Sequence, residues 1–218
     1  MSAAAPPDME AVTDADSFAH ATGATPQQMA DLQRFLALLT EWNANMNLVG
    51  PSALAEFWPR HAWDSAQLLK LAPEARSWAD LGAGAGFPGI VLAILGKGRL
   101  GFHVDLVESV AKRCRFLSEV VTALDLPAKV HNARAEDLKL TVEIVSARAC
   151  APLAKLLRYA RPYLHRGATG LFLKGQDVAA ELEEATRCWE LEAQIVPSLS
   201  SERGQIVRVE RLGRAKPV

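Results

Sequence analysis

"WADLGAGAGFPGIVLAI", residues 78–94, sets four glycines, Gly82, Gly84, Gly86 and Gly89, between an apolar strand-like run and an apolar helix-like run. Such a turn lets backbone approach a nucleotide closely, at the carboxyl end of a strand in an open α/β sheet. Two registers are available. Asp80 followed by Gly82, Gly84 and Gly86 is an acidic GxGxG, whereas Gly84, Gly86 and Gly89 form a literal GxGxxG, the dinucleotide fingerprint. In that fingerprint the first glycine follows the strand directly. With the strand ending at Leu81, counting starts at Gly82 and the third glycine falls on Phe87; the other register needs a strand two residues longer. Pro88, at the expected helix start, has no N–H to offer a pyrophosphate. S-adenosylmethionine carries a sulfonium, a ribose and an amino-acid end but no phosphate, and Asp80 suits that cationic ligand better. One βα unit later, "HVDLVE" (103–108) ends in Glu108, whose carboxylate can accept hydrogen bonds from both ribose hydroxyls of a nucleoside of either kind.

Outward from this turn, short apolar runs alternate with helical patterns. Strands are predicted at 76–81, 103–108, 129–133, 143–148 and 169–174, and helices at 88–96, 109–124, 152–164 and 177–188. That order gives a Rossmann-like doubly wound α/β sheet, mostly parallel. "WELEAQIVPSL" and "GQIVRVERL", joined by "SSERG", have no helix between them and read as a C-terminal antiparallel hairpin. Upstream, Thr25, Pro26 and Gln28 open a helix with a capping box. Its buried stripe is predicted as Met29, Leu32, Leu36, Leu39 and Met46. A second helix starts near Pro59 in "PRHAWDSAQLLKLA". The division is therefore a disordered tail over 1–24, rich in Ala, Pro and Asp, an N-terminal helical cap over 25–75, and the α/β domain over 76–218.

The 218 residues are 50% hydrophobic and 22% charged, as expected of one globular domain with an accessory element. No apolar run reaches the roughly 18–20 residues of a membrane span, and the N-terminus has no signal-peptide pattern. Cys114, Cys150 and Cys188 are an odd set without a CxxC, consistent with reduced thiols in a cytoplasmic protein. Net charge is −1 but uneven: residues 97–174 hold 14 basic and 7 acidic side chains, whereas residues 1–80 hold 4 and 10. A basic middle can present a positive face to a polyanion. Metal-ligand spacing is absent, and His103 and His131 fall in strand patterns as packing residues. The Asp/Asn-Pro-Pro-aromatic motif of exocyclic-amine methylation and the Tyr-x-x-x-Lys of short-chain dehydrogenases are also missing. Cys150 lacks the Pro-Cys context of a cytosine-C5 nucleophile and reads as a small core residue.

"DLGAGAGFPGIVLAI", "LVESVAKRCRFLSEVV", "ARAED", "VSARACAPL" and "LFLKGQ", with "EWNANMNLVG" and "RHAWDSAQLL" upstream, resemble in order the RsmG (GidB) family of bacterial 16S rRNA methyltransferases, over about residues 25–210. The resemblance implies a class I S-adenosylmethionine-dependent methyltransferase fold, S-adenosylmethionine as donor and guanine N7 in the 530 loop as acceptor. By position it implies that Gly82 and Phe87 touch the cofactor, that Ala135 and Glu136 lie at its adenine, and that Arg148 sits where cofactor and target meet. With Asp80, Gly84, Gly86 and Glu108 these form the expected cofactor set. Guanine N7 has a free lone pair and no proton, so methyl transfer needs alignment and no general base. Arg148 belongs beside the base, because a donor on N7 would block attack. RNA contacts are expected from Arg60, His61, Lys112, Arg113, Arg115, Lys155, Arg158 and Lys174, with Arg134 and Arg161 near the same strand ends and helices. Arg60, His61 and Asp64 share a helical turn. The expected enzyme is a cytoplasmic monomer acting on 16S rRNA or the small ribosomal subunit. A nicotinamide-binding oxidoreductase or sensor, a methyltransferase with a protein or small-molecule acceptor, and a non-catalytic ribosome-assembly factor are the rival readings.

Overall fold

The computed structural model describes residues 11–215. Seven strands form one sheet: β1 (Ser77–Leu81), β2 (His103–Glu108), β3 (Ala128–Asn132), β4 (Ile144–Arg148), β5 (Thr169–Lys174), β6 (Trp189–Pro197) and β7 (Gln205–Ala215). Their order across the sheet is β3-β2-β1-β4-β5-β7-β6. The pairs from β3 to β5 are parallel and β7 is antiparallel to both neighbours, so the hairpin is inserted with its second strand inward. The chain winds outward from β1 to β3, then returns to β4 on the other side of β1. The carboxyl ends of β1 and β4 thus flank the point where winding reverses, which is where such sheets hold ligands.

Side chains alternate across the sheet with the period of two that a strand dictates. Trp78, Leu171, Leu173 and Ile206 join one core, while Ala79, Leu81, Phe172 and Val207 join the other. Helices α7 (Leu153–Leu164) and α8 (Val178–Cys188) cover the second core. On the first lie α5 (Gly89–Gly96), α6 (Ala111–Ala123) and the N-terminal helices. Those are α1 (Ala15–Thr22), α2 (Pro26–Met46), α3 (Pro51–Ala55), a π-helical segment (Phe57–Ala62) and α4 (Trp63–Leu71).

Two expectations are corrected here. The tail predicted over 1–24 is helical at Ala15–Thr22; residues 1–10 lie outside the described part. Asp14 caps α1 through a capping box with Ser17, and Gly23 closes it in the left-handed conformation. Phe18 is fully buried, its ring centroid 5.4 Å from that of Trp58. One aromatic anchor and two caps outweigh a composition that reads as disordered. The stripe on α2 is also rotated: Leu32, Phe35, Leu38 and Leu39 are buried, whereas Met29, Leu36 and Met46 are half-buried. Phe35 takes the centre because its ring packs against Phe57, Phe87 and Phe116 at once.

Candidate active site

Strand β1 ends at Leu81, as the acidic register requires, and the N–H groups of Gly82 and Ala83 both donate to the Val107 carbonyl, at 2.8 and 3.0 Å. Gly82 has φ +69°, and a Cβ there would lie 2.8 Å from Cys150 Sγ. The loop therefore tolerates no side chain where β1 meets β4. Gly84 N–H donates to Glu108 Oε2 at 3.1 Å, and Glu108 Oε1 accepts from Val110 N–H at 2.8 Å. Each oxygen of this buried carboxylate keeps a lone pair beyond its backbone donor. Glu108 lines a cavity of about 270 Å³ together with Gly82, Arg113, Arg134, Ala135, Glu136 and Cys150. Burial is the main cause pushing the Cys150 thiol up, which opposes a nucleophilic role.

The floor of this cavity has a fixed shape. Tyr163 Oη donates to the Ala135 carbonyl at 3.0 Å, holding the turn Ala135–Asp137 against α7. The pocket fits a nucleoside: a carboxylate with free lone pairs at the end of β2, a glycine that admits close approach, and a short turn after β3.

Asp80 is corrected. It is 1% exposed and lines neither this cavity nor its neighbour. Its Oδ2 accepts from Gly89 N–H at 2.9 Å and its Oδ1 from the Ser146 hydroxyl at 3.3 Å. It fastens the start of α5 under the loop. Burial pushes its carboxyl up to about 7, against the opposing pull of those two hydrogen bonds and of Arg148. Gly84, Gly86 and Phe87 likewise line neither cavity. Phe87 is buried and supports the site from behind, and the two glycines shape the loop.

A second cavity, of about 600 Å³, opens over the ends of β4 and β5, lined by Arg60, His61, Asp64, Arg148, Lys174 and Arg203 among others. The two cavities share Ala149, a non-glycine residue at φ +50°. Non-glycine residues held at positive φ concentrate at functional sites. Arg148, expected in the cofactor set, lines this second cavity next to the shared Ala149. Its guanidinium lies 4.9 Å over the Phe87 ring, 2.6 Å from His61 Nδ1 and 3.7 Å from Asp64 Oδ2. Arginine only donates, so Nδ1 accepts and the neutral His61 carries its proton on Nε2, a buried atom without a partner. Burial first, then the charges of Arg148 and Arg60, lower the His61 pKa to about 4.

Local sequence explains how these side chains arrive. Pro59 has no N–H and crowds the preceding turn, and the chain widens: both Arg60 N and His61 N donate to the Glu56 carbonyl. The π turn brings Arg60 and His61 to the cavity wall.

The other RNA candidates divide. Arg113 and Arg134 border the first cavity, and Arg113 Nη1 lies 3.7 Å from Glu108 Oε2. Lys112 and Arg115 are exposed on α6 and line neither cavity. Lys155, Arg158 and Arg161 border a separate surface cavity beside Trp189. Lys174 is corrected as a free phosphate ligand, since its ammonium pairs with Glu181 and donates to the Ala151 carbonyl at 2.9 Å. His131 bonds Asp105 within the sheet, and no group of three or more metal-capable side chains occurs among the described residues. Sequence reasoning missed Ser200, Ser201 and Arg203 of the β6–β7 turn and Glu181 of α8, which close the second cavity. The only signal of the turn residues was a polar "SSERG", common to any hairpin turn, and Glu181 is one of several glutamates on α8.

Residues 28–207 match the family model described as GidB, rRNA small subunit methyltransferase G. A Caulobacter vibrioides protein named Ribosomal RNA small subunit methyltransferase G is 62% identical over 207 residues, covering 95% of this chain and 96% of that one. Its namesake from Caulobacter sp. strain K31 is 64% identical over 205 residues, 94% and 93% of the two chains. Among solved structures, a SAM-dependent methyltransferase from Aquifex aeolicus superposes with a TM-score of 0.53 at 16% identity, over 80% of this chain and 97% of that one. A mutant of MtNAS in complex with S-adenosylmethionine gives 0.54 at 14% identity, over 93% and 86%. Likeness at such identity speaks for the class I methyltransferase fold alone.

Proposed function

The chain belongs to the rRNA small subunit methyltransferase G family, and on that footing we propose that it methylates guanine N7 in the 530 loop of 16S rRNA with S-adenosylmethionine as donor. The observation that carries the reading is the pair of cavities meeting at Ala149, one lined by Glu108 and the glycine turn, the other by cations. Glu108 would hold the ribose hydroxyls, Gly82 would let the loop close on the ligand, and Ala135 and Glu136 would flank the adenine. When bound, S-adenosylmethionine supplies an electrophilic methyl group on a sulfonium.

The remaining work is alignment. Guanine N7 attacks through its own lone pair and releases no proton, so the chain needs no general base. Neutral His61 and raised Cys150 are in keeping with that. Arg148, held over the Phe87 ring, presents donors suited to guanine O6 or a flanking phosphate. Arg60 and Arg203 at the same cavity, and the exposed Lys112, Arg115, Lys155 and Arg158, supply phosphate contacts. The dinucleotide alternative fares poorly, because the first amide of α5 is committed to Asp80 rather than free for a pyrophosphate. No helix among the described residues is long and apolar enough to cross a membrane. We place the enzyme in the cytoplasm as a monomer.

The test incubates unmethylated small ribosomal subunits with S-adenosylmethionine and the protein, then maps 7-methylguanosine by cleavage at the modified base. A single new cut in the 530 loop is the expected outcome. Cuts elsewhere, or none despite cofactor binding, would overturn the assignment of the acceptor.

A further inference from the structure

Resting on that reading of the acceptor cavity, we propose that Asp64 selects guanine by accepting hydrogen bonds from its Watson–Crick edge. Three observations combine. Asp64 lines the acceptor cavity. Its Oδ1 is crowded, accepting from the hydroxyls of Ser198 and Ser200 and from Gln67 Nε2. Its Oδ2 is ion-paired with Arg148, whose Nη1 lies 3.7 Å away, longer than a formed hydrogen bond, and faces no other donor.

One half of the carboxylate is thus anchored and the other is left with lone pairs beside the cavity. Two of the three anchoring donors come from outside the helix that carries Asp64: Ser198 and Ser200 belong to the β6–β7 turn. That turn is itself fixed, with Leu199 N–H donating to Gln67 Oε1 at 2.8 Å and Trp63 Nε1 donating to the Leu199 carbonyl at 3.1 Å.

A guanine that turns N7 towards the donor cavity turns N1–H and the N2 amino group away from it. Both are donors and need an acceptor. The other carboxylate at this cavity, Glu181, also holds its partners on one oxygen, but there it touches the Lys174 ammonium directly, whereas the cation beside Asp64 stands beyond hydrogen-bond distance. Adenine presents an acceptor at N1 and no amino group at C2, so an anionic oxygen there repels it. Adenine also has a methylatable N7, so alignment alone does not exclude it and a reading group is required.

The experiment measures kcat/KM on small subunits reconstituted with 16S rRNA carrying guanosine or adenosine at the target position, for wild type and Asp64→Asn. Methylation of the guanosine substrate by wild type is the control, and its failure would count against the proposed function rather than against this selectivity. In Asp64→Asn the three donors keep the carbonyl oxygen at the Oδ1 position, so an amide N–H faces the base where an acceptor stood. The guanosine-to-adenosine ratio is expected to fall about 10-fold or more, since a site built to pair a polar group discriminates by such factors. Binding of S-adenosylhomocysteine should be unchanged.

Equal losses on both substrates would make Asp64 a scaffold for the turn and overturn the proposal. If Asp64→Asn does not fold, Ser200→Ala decides. Removing one anchor frees the carboxylate to close on Arg148, and the ratio is expected to fall about 2–5-fold, the effect of a lost neutral hydrogen bond. An unchanged ratio in that variant overturns the proposal as well.

Discussion

A carboxyl group shut in with one amide, one hydroxyl and little else titrates where water would not let it. Asp80, raised to about 7, stays protonated in the folded protein well above the pH at which the unfolded chain ionises it. Between the two values the native state holds the extra proton, so stability falls as pH rises and levels off above about 7. Asp80→Asn keeps an acceptor for Gly89 N–H and gives Ser146 a donor to meet its hydroxyl oxygen. The melting temperature of this variant relative to wild type should climb from pH 5 to pH 7 and then stay level; a difference independent of pH would refute the buried, protonated state. Gly89 is constrained from the same side, since a Cβ there would meet Leu106 and come within 2.7 Å of Asp80 Oδ2. Gly89→Ala should destabilise by about 1–3 kcal/mol, the usual effect of overpacking, read by denaturant titration. Gly89 so performs the close helix–strand packing of a third fingerprint glycine although the register starts at Gly82. Residue identity alone could not separate that role from ligand contact, as both need a glycine and only the fold says which neighbour is near.

Among the elements, α1 is where reading and structure part furthest. Its composition is that of a disordered segment, yet Phe18 lies against both Trp58 and Trp63, the latter at 6.5 Å and nearly perpendicular. Phe18→Ala should destabilise by about 3–5 kcal/mol, as for other buried phenylalanines, and removal of residues 1–24 should lower the melting temperature rather than leave it alone. The strands and helices from β1 to α8 were legible to within two residues because each carries its own periodicity and its own stop. The rotation of α2 was not, because a helix with apolar residues on much of its circumference shows no unique face until Phe57, Phe87 and Phe116 arrive from distant elements. The same holds for Arg60 and His61: "RHAWDS" signalled a polar turn, but the π widening that aims them depends on how Pro59 is accommodated.

At the scale of the molecule, two cavities joined at one residue make binding and selection separable. S-adenosylhomocysteine should raise the melting temperature, by about 2.7 kcal/mol of added stability at 100 times its dissociation constant, or roughly 5–10 °C for a chain of this size. Glu108→Gln should shrink that shift, whereas Arg148→Ala should leave most of it while lowering methylation of the subunit. A shift lost equally in both variants would mean that the cavities do not divide the work. The donor side was readable because its parts follow one another in the sequence as glycine turn, Glu108 and "ARAED". On the acceptor side Arg60, His61, Arg148 and Lys174 were expected, but Ser200, Ser201 and Arg203 were not, because that wall combines α4 with a turn more than a hundred residues away.

That last contact fixes an order of assembly. Trp63 and Gln67 reach Leu199 and Ser198 across 131 to 136 residues of chain, and the entropy of closing so long a loop must be met before the contacts reward it. Every wall of the donor cavity lies between Gly82 and Tyr159. During synthesis, that cavity has all its parts well before the hairpin turn has emerged. A nascent chain stopped near residue 190 would hold the whole of one pocket and only an unroofed half of the other, with Asp64 lacking the serines that fix it. On the role proposed for Asp64, discrimination between bases would be the last property this chain acquires as it is made.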